Sequence, residues 1–382
     1  MEAITKKRKI LISPTSSGKS AILYCIVRFL LDHNCDRILL LVPNVSLCSQ
    51  LFSDFEDYSS ANGWETSDFV HTIFSGKEKF THHPVVLSTW QSMSALLKNR
   101  SLMRESREFF NNFNAVINDE VHTAQSKEIS NILNNCIYAD RRIGVTGTLN
   151  GTKIHSLQLE SLFGPITKVI STKELMDKKQ VTELGIKCLV LKYPENISKS
   201  IKGLKYQEEL DYIISNGDRN KFIKNLVLSL KGNTLLLYQM VEKHGEVLYK
   251  MISESKYAKD KKVYFIHGNI KAEEREKIRH AMEKEHNVIL IGSVGTVSTG
   301  TNIRNLHNIV FASPSKSSIR TKQAIGRVLR LAENKHKAIL YDIADDLRYK
   351  KHTNYTMLHF YERLKIYDEE KFDYKIVKVD LK

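Results

Sequence analysis

Pro14-Thr15-Ser16-Ser17-Gly18-Lys19-Ser20 stands between a short apolar run, Ile10–Ser13, and a longer amphipathic one, Lys19–Leu31. The first reads as a buried strand and the second as a helix with one apolar stripe. A turn containing glycine between a strand and a helix aims the free N–H groups of the helix start at an anion. The full phosphate-loop pattern, GxxxxGK[ST], asks for a glycine where Pro14 stands, so that pattern is met only in part. Its working end is complete. Gly18 lets the backbone approach a phosphate, Lys19 reaches the β- and γ-phosphates, and Ser20 offers a hydroxyl to magnesium. Thr15 and Ser17 complete the set of expected loop contacts.

The residues around this loop alternate short β-branched runs with amphipathic ones, the pattern of a mostly parallel α/β sheet. Arg37–Val42, Val85–Ser88, Ala115–Ile117 and Ile143–Thr146 read as further strands; Ser46–Phe55, Gln91–Leu97 and Ser126–Leu133 read as helices. Asp119-Glu120-Val121-His122 follows the fourth strand directly, at the sheet edge where α/β proteins bind ligands. Asp119 is placed to hold or orient magnesium, and Glu120 to receive a proton from an attacking water. Acidic residues at a strand end are otherwise ordinary solvated surface, and their pairing with the loop argues against that.

The second half repeats the style. Leu189–Lys192, Thr234–Tyr238, Lys262–Ile266, Val288–Ile291, Asn308–Phe311 and Ala338–Tyr341 read as strands. Leu204–Ile214, Arg219–Leu230, Glu242–Glu254, Ala272–Glu285 and Ile319–Leu329 read as helices. The expected division is residues 1–170, a linker at 171–187, a second domain at 188–346 and an extension at 347–382. On the last helix Gln323, Arg327 and Arg330 share a face, being four and three residues apart. Two arginines so presented would neutralise charge developing on a γ-phosphate, whereas the plain reading is a basic surface helix. The aromatics of the extension read either as packing on the second domain or as a surface that stacks bases.

Composition narrows the partners. The 382 residues carry a formal net charge of +15, which favours a polyanion. No run approaches the roughly 20 apolar residues that span a bilayer, and the basic start leads into too short an apolar stretch for a signal peptide. Five scattered cysteines without a CxxC pair suggest neither a disulfide scaffold nor a zinc knuckle, and point to a reducing, intracellular setting.

Taken in order, these elements resemble the motifs of superfamily-two DExH helicases. Pro14–Ser20 is similar to their first motif, Asp119–His122 to the DExH box and Gln323–Arg330 to the arginine-rich sixth motif. Pro43-Asn44-Val45-Ser46-Leu47 with Gln50, and Ser88-Thr89-Trp90-Gln91, resemble the motifs that touch the nucleic-acid backbone. Thr146-Gly147-Thr148 takes the place of the motif coupling hydrolysis to movement, and Ser298-Thr299-Gly300 with Asn302 that of the fifth motif. The resemblance implies an α/β fold of two tandem RecA-like domains (a P-loop NTPase helicase core) with a short C-terminal extension. It implies ATP and Mg2+ as cofactors. Lys19, Asp119, Glu120, Gln323, Arg327 and Arg330 would be catalytic; Thr15, Ser17, Gly18, Lys19, Ser20, Asp119 and Gly300 would bind nucleotide; Ser20 and Asp119 would hold the metal. Pro43, Asn44, Gln50, Thr89, Trp90, Ser298 and Thr299 would contact nucleic acid, although a cap or loop role suits Asn44 and Asn302 equally.

Within the superfamily the chain resembles bacteriophage recombination helicases through Leu11–Ser20, Val85–Gln91, Gln180–Leu184, Tyr206–Glu209, Gly300–His307 and Asp368–Leu381. That resemblance implies a DNA helicase of the infected cell's cytoplasm, acting in recombination and repair. It implies branched or forked DNA as partner, with RNA–DNA hybrids and phage recombination or single-strand-binding proteins as further ones. The expected reactions are junction migration, fork regression, and D-loop or R-loop unwinding. Two features depart from the family pattern. Only thirteen residues precede Pro14, without an adenine-reading glutamine, and there is no room for the small N-terminal substrate-binding domain. Rival readings are an RNA or RNA–DNA hybrid helicase, a nucleotide-dependent DNA clamp or assembly factor that does not unwind, and a restriction motor subunit.

Overall fold

The computed structural model describes residues 6–14, 17–74, 78–123, 127–149, 153–298, 303, 305–314, 324–326, 329, 331, 335 and 337–381, with backbone alone for 123, 153, 154, 272 and 298. The chain divides into two compact units, Met1–Ser171 and Thr172–Lys382. Each is built on a seven-stranded, wholly parallel sheet.

The first sheet contains β1 (Arg8–Ile12), β2 (Ile38–Val42), β3 (Val70–Ile73), β4 (Val85–Thr89), β5 (Ala115–Asp119), β6 (Arg141–Thr146) and β7 (Ile166–Lys168), in spatial order β3-β4-β2-β5-β6-β1-β7. The period of two along its strands divides the core. Ile38, Leu40 and Val42 face the helices Lys19–Asp32 and Val45–Ser59, while Leu39 and Leu41 face the helices Trp90–Lys98, Met103–Asn111, Lys127–Asn135 and Lys153–Phe163. Covering both faces explains why β2, Ile-Leu-Leu-Leu-Val, is an unbroken apolar run rather than an alternating one.

The second sheet contains β8 (Glu183–Lys192), β9 (Thr234–Tyr238), β10 (Val263–Ile266), β11 (Ile289–Ser293), β12 (Asn308–Phe311), β13 (Lys337–Asp346) and β14 (Tyr374–Asp380). Its order, β10-β11-β9-β12-β13-β8-β14, repeats that of the first sheet strand for strand. Two units of one topology, each parallel and doubly covered, are tandem RecA-like P-loop NTPase domains.

Differences from the sequence reading fall at the start of the second unit and at sheet edges. Residues 171–187, expected as a linker, hold a helix, Thr172–Asp177, and the first half of β8. Leu184 and Ile186 alternate into the core there, registered with Ala338 and Leu340 of β13, and Ile186 also with Tyr374 of β14. Residues 347–382, expected as an extension, supply the helix Tyr355–Glu369 and the edge strand β14. Strands β3 and β7 were also not foreseen; both are short, and β7 is half-buried. Among the described residues, no helix is long and apolar enough to cross a membrane.

Candidate nucleotide site

In the first sheet β5, β6 and β1 lie side by side, so their C-terminal ends gather Asp119, Thr146 and the loop after Ile12 at one edge. The loop continues the ladder through Ser13 N–H, which donates to the Thr146 carbonyl at 2.9 Å. Ser17 closes the turn: its hydroxyl donates to the Pro14 carbonyl at 2.6 Å and lies 2.6 Å from the Ser13 hydroxyl. Pro14 therefore accepts the turn's closing bonds, in the position where the generic pattern has glycine. Gly18 caps the helix Lys19–Asp32 in the left-handed region, at φ 80°. A Cβ there would meet nothing within 4 Å, so glycine is required for its backbone freedom and not for space.

Lys19 leaves the first residue of the helix and places its ammonium 3.8 Å from Glu120 Oε1. Glu120 also occupies the left-handed region, φ 51°, a conformation costing about 1–3 kcal/mol in a non-glycine residue and found at sites where function demands it. That turn is made possible from below. A Cβ on Gly144 of β6 would lie 2.9 Å from a methyl of Val121, so only glycine lets the chain after β5 fold down onto the sheet.

Three further groups fix the Glu120 carboxylate. His122 Nδ1 lies 3.2 Å from Glu120 Oε2 and 2.8 Å from the Thr146 hydroxyl. That hydroxyl is 3.3 Å from Glu120 Oε2 and 2.9 Å from the Thr148 carbonyl oxygen. The Gly147 N–H also donates to the carboxylate. Burial would raise the pKa of Glu120, but Lys19 and then His122 outweigh it and hold the group well below the usual carboxylate range.

Asp119 is driven the other way. Burial, and then the neighbouring Glu120 charge, push its pKa upward, against the smaller pull of Lys19. One of its oxygens accepts the Glu120 N–H at 2.9 Å. The edge thus holds one carboxylate kept ionised and one short of positive charge. A divalent cation beside Asp119 would supply that charge. Asp119 and the Ser20 hydroxyl are hard oxygen donors suited to magnesium, which commonly takes one or two carboxylates and fills its shell with water and phosphate oxygens. Among the described residues no group of three His, Cys, Asp or Glu side chains forms a metal cage, and such a site needs none.

The other expected residues fall in two classes. Asn44 accepts from Leu47 N–H at 2.9 Å and Thr89 from Ser92 N–H at 3.2 Å, so both are helix N-caps. Thr89 is only 3% exposed, and its hydroxyl bonds that of Ser92, so its side chain supports the helix Trp90–Lys98. Gln50 donates to Asp54 at 2.8 Å on the exposed face of its helix, and Trp90 packs half-buried against the core. Gln91 donates to the Pro43 carbonyl at 3.0 Å and ties the loops after β2 and β4 into one surface. Thr15, Thr299, Gly300, Asn302, Gln323, Arg327 and Arg330, and the side chain of Ser298, lie outside the described residues.

Two contacts were not read from the sequence. Thr146, expected as part of the Thr146-Gly147-Thr148 motif, places its hydroxyl against both Glu120 and His122. Tyr58 carries no local signal: its phenol oxygen meets the Ser20 hydroxyl at 2.9 Å from a helix end 38 residues away.

In the second unit the corresponding edge is closed. Arg219, fully buried, donates to Asp345 at 2.7 and 3.0 Å and to the Ala312 carbonyl at 2.8 Å, and Tyr193 donates to Asp345 at 2.9 Å. Tyr193, Ala312 and Asp345 belong to the ends of β8, β12 and β13, the counterparts of β1, β5 and β6. An ion pair fills the place that holds the phosphate loop in the first unit.

Residues 2–151 match the family described as type III restriction enzyme, res subunit, and residues 218–332 match the helicase conserved C-terminal domain. The chain is 33% identical over 400 residues to the ATP-dependent DNA helicase uvsW of Enterobacteria phage T4, covering 100% of this chain and 76% of that protein. The crystal structure of T4 UvsW aligns over 100% of this chain and 75% of its own at 29% identity, with a TM-score of 0.46. The ATP-dependent type ISP restriction-modification enzyme LlaBIII bound to DNA aligns over 99% of this chain and 31% of its own, at 15% identity and a TM-score of 0.68, a likeness of fold.

Proposed function

Since the chain belongs to the superfamily-two helicases, in the family of phage T4 UvsW, we propose that it is an ATP-driven motor that remodels branched DNA. The observation that carries this reading is the continuous relationship along the whole chain to one protein named a DNA helicase. The site around Lys19 and Glu120 is consistent with it.

Lys19 and the N–H groups at the start of its helix bind the phosphates, and Gly18 shapes their approach. Ser20 and Asp119 would hold magnesium, which would supply positive charge to offset the negative charge developing in the transfer. Glu120, kept ionised by Lys19 and oriented by His122 and Thr146, accepts the proton of the attacking water. By their motifs, Gln323, Arg327 and Arg330 are assigned to catalysis and Gly300 to nucleotide binding. Because Thr146 begins the Thr146-Gly147-Thr148 turn, movement of that turn and movement of Glu120 are linked by one hydroxyl.

Strand contacts fall to Pro43, Gln50 and Trp90 in the first domain and to Ser298 and Thr299 in the second. Asn44 and Thr89 set the helices that present them. Contacts with phosphate and sugar carry little sequence information, which suits a motor that must work on any strand. Junction migration, fork regression, and D-loop or R-loop unwinding are the reactions proposed, in recombination and repair.

A strand-separation assay on forked DNA, a four-way junction and an RNA–DNA hybrid tests the reading. ATP-dependent separation of the fork and junction is the expected result. Preference for the hybrid alone would reassign the substrate. Tight binding without separation of any of the three would make the protein a nucleotide-dependent clamp.

A further inference from the structure

The C-terminal aromatics divide into two groups. Phe360, Tyr367 and Phe372 are buried against the second sheet and are explained by packing. Tyr349 and Tyr355 are not, and they frame a loop with a definite construction. Tyr349 N–H donates to the His352 carbonyl at 3.1 Å, and His352 N–H returns a bond to the Tyr349 carbonyl at 3.0 Å. The result is a tight turn whose tip is Lys350-Lys351, both exposed.

Lys350 sits at φ 51°, where glycine, asparagine or aspartate would be the ordinary choice. Lys179 and Lys371 occupy the same region, so this conformation shapes the turn and is not by itself a mark of binding. The Lys350 ammonium lies 5.5 Å from the Tyr349 ring centre. Among the described residues neither Lys350 nor Lys351 is ion-paired, whereas their neighbour Arg348 is neutralised by Asp346 at 2.7 and 2.6 Å.

The base of the loop is densely hydrogen-bonded. Glu209, 3% exposed, accepts from Tyr355 N–H at 2.9 Å, from Thr356 N–H at 2.8 Å, from the Thr356 hydroxyl at 2.8 Å and from the Asn354 amide at 3.2 Å. Asn354 in turn bonds Leu347 N–H and the Asp345 carbonyl, closing the loop where it leaves β13. The same clamp sets Tyr355, 43% exposed, with its ring 6.1 Å from that of Tyr206. Two lysines on a pinned turn and an exposed ring beside its base therefore stand together at the C-terminal edge of the second sheet.

We infer that Tyr349–Tyr355 is a nucleic-acid contact of the second domain, with Lys350 and Lys351 gripping phosphodiester oxygens and Tyr355 stacking on a base of a single strand. This rests on the motor reading and adds to it a contact outside the helicase motifs. Lysine ammonium groups grip phosphate without reading sequence, and an aromatic face accepts any base.

The test is fluorescence anisotropy of a labelled single strand and of its duplex across a salt series, for the full chain and three variants. With Lys350→Ala and Lys351→Ala combined, two phosphate contacts are lost. The slope of log affinity against log salt should fall by about 1.4 for the single strand and about 1.8 for the duplex. Lys350→Gly suits the turn better than lysine does, so its smaller loss of slope, about 0.7 on the single strand, cannot come from misfolding. Tyr355→Ala should weaken single-strand binding at least about fivefold and leave duplex binding unchanged. ATP hydrolysis without nucleic acid should be unaltered in all three. Unchanged slopes in the lysine variants, beside salt-dependent binding by the parent chain, would overturn the loop's role and leave the motor reading standing. A parent chain that binds neither strand nor duplex would overturn both.

Discussion

The ammonium of Lys19 stands 3.8 Å from Glu120 Oε1, which joins the phosphate loop after β1 to the turn after β5. One cation thereby serves two purposes. It keeps the Glu120 carboxylate ionised, and on the proposed reading it also draws the phosphates toward the edge of the sheet. With phosphate bound, Lys19 would have two anions to share, and Glu120 would depend more on His122 and Thr146. The four side chains form one unit, so substitutions among them should not be additive.

Glu120→Gln keeps the shape of the side chain and removes its capacity to take a proton. Turnover of ATP should fall by about 10²–10⁴, while nucleotide binding persists. Stopped-flow binding of a fluorescent nucleotide, run beside steady-state hydrolysis, separates the two. Near-normal turnover would remove Glu120 from the proposed role.

Thr146→Val deletes the hydroxyl near Glu120, His122 and the Thr148 carbonyl without changing the side chain's size. Loss of a hydrogen-bonding partner inside the protein costs about 1–3 kcal/mol, which urea unfolding would register. Turnover should drop about tenfold, a change of about 1.4 kcal/mol in the barrier. A variant less stable but equally fast would make Thr146 a purely structural residue.

His244 predicts a pH dependence for the second unit. Its ring is fully buried, with Nδ1 3.0 Å from the Ser313 hydroxyl, and burial, reinforced by Arg219, pushes its pKa down to about 3. In the unfolded chain the same ring titrates near about 6.5. Between those values the unfolded form holds a proton that the folded form refuses. Stability is therefore full above pH 6.5 and falls as the pH drops toward 3, by about 1.4 kcal/mol per unit. The difference between the parent chain and His244→Gln, measured by denaturant unfolding at several pH values, should carry that slope. Parallel curves would show that His244 is charged in the folded protein or not enclosed.

The sequence made some of this architecture plain and concealed the rest for physical reasons. Strands buried on both faces, such as Ile38–Val42 and Thr234–Tyr238, are short unbroken apolar runs and can be read directly. Edge strands cannot. In β14, Tyr-Lys-Ile-Val-Lys-Val-Asp, Ile376 and Val377 are both nearly half-exposed, so no period reports which way the strand faces. The same division holds in the site. Gly18, Lys19, Asp119 and Glu120 announce themselves because each chemistry comes with a local context, a turn or a strand end. Asn44, for which a cap and a nucleic-acid contact were equal readings, and Thr89, expected to contact nucleic acid, both serve as caps in the structure; one hydroxyl or amide suits either task, so residue type alone does not separate them. Tyr58 is invisible in the sequence because its contact with Ser20 is made by the packing of two helices.

Steady-state ATP hydrolysis with and without branched DNA, with Lys19→Ala as the blank, tests the central claim most directly. A motor of this kind should hydrolyse ATP, turn over markedly faster when DNA is added, and lose both activities in the blank. Hydrolysis that is indifferent to DNA, or that survives the loss of Lys19, would contradict it.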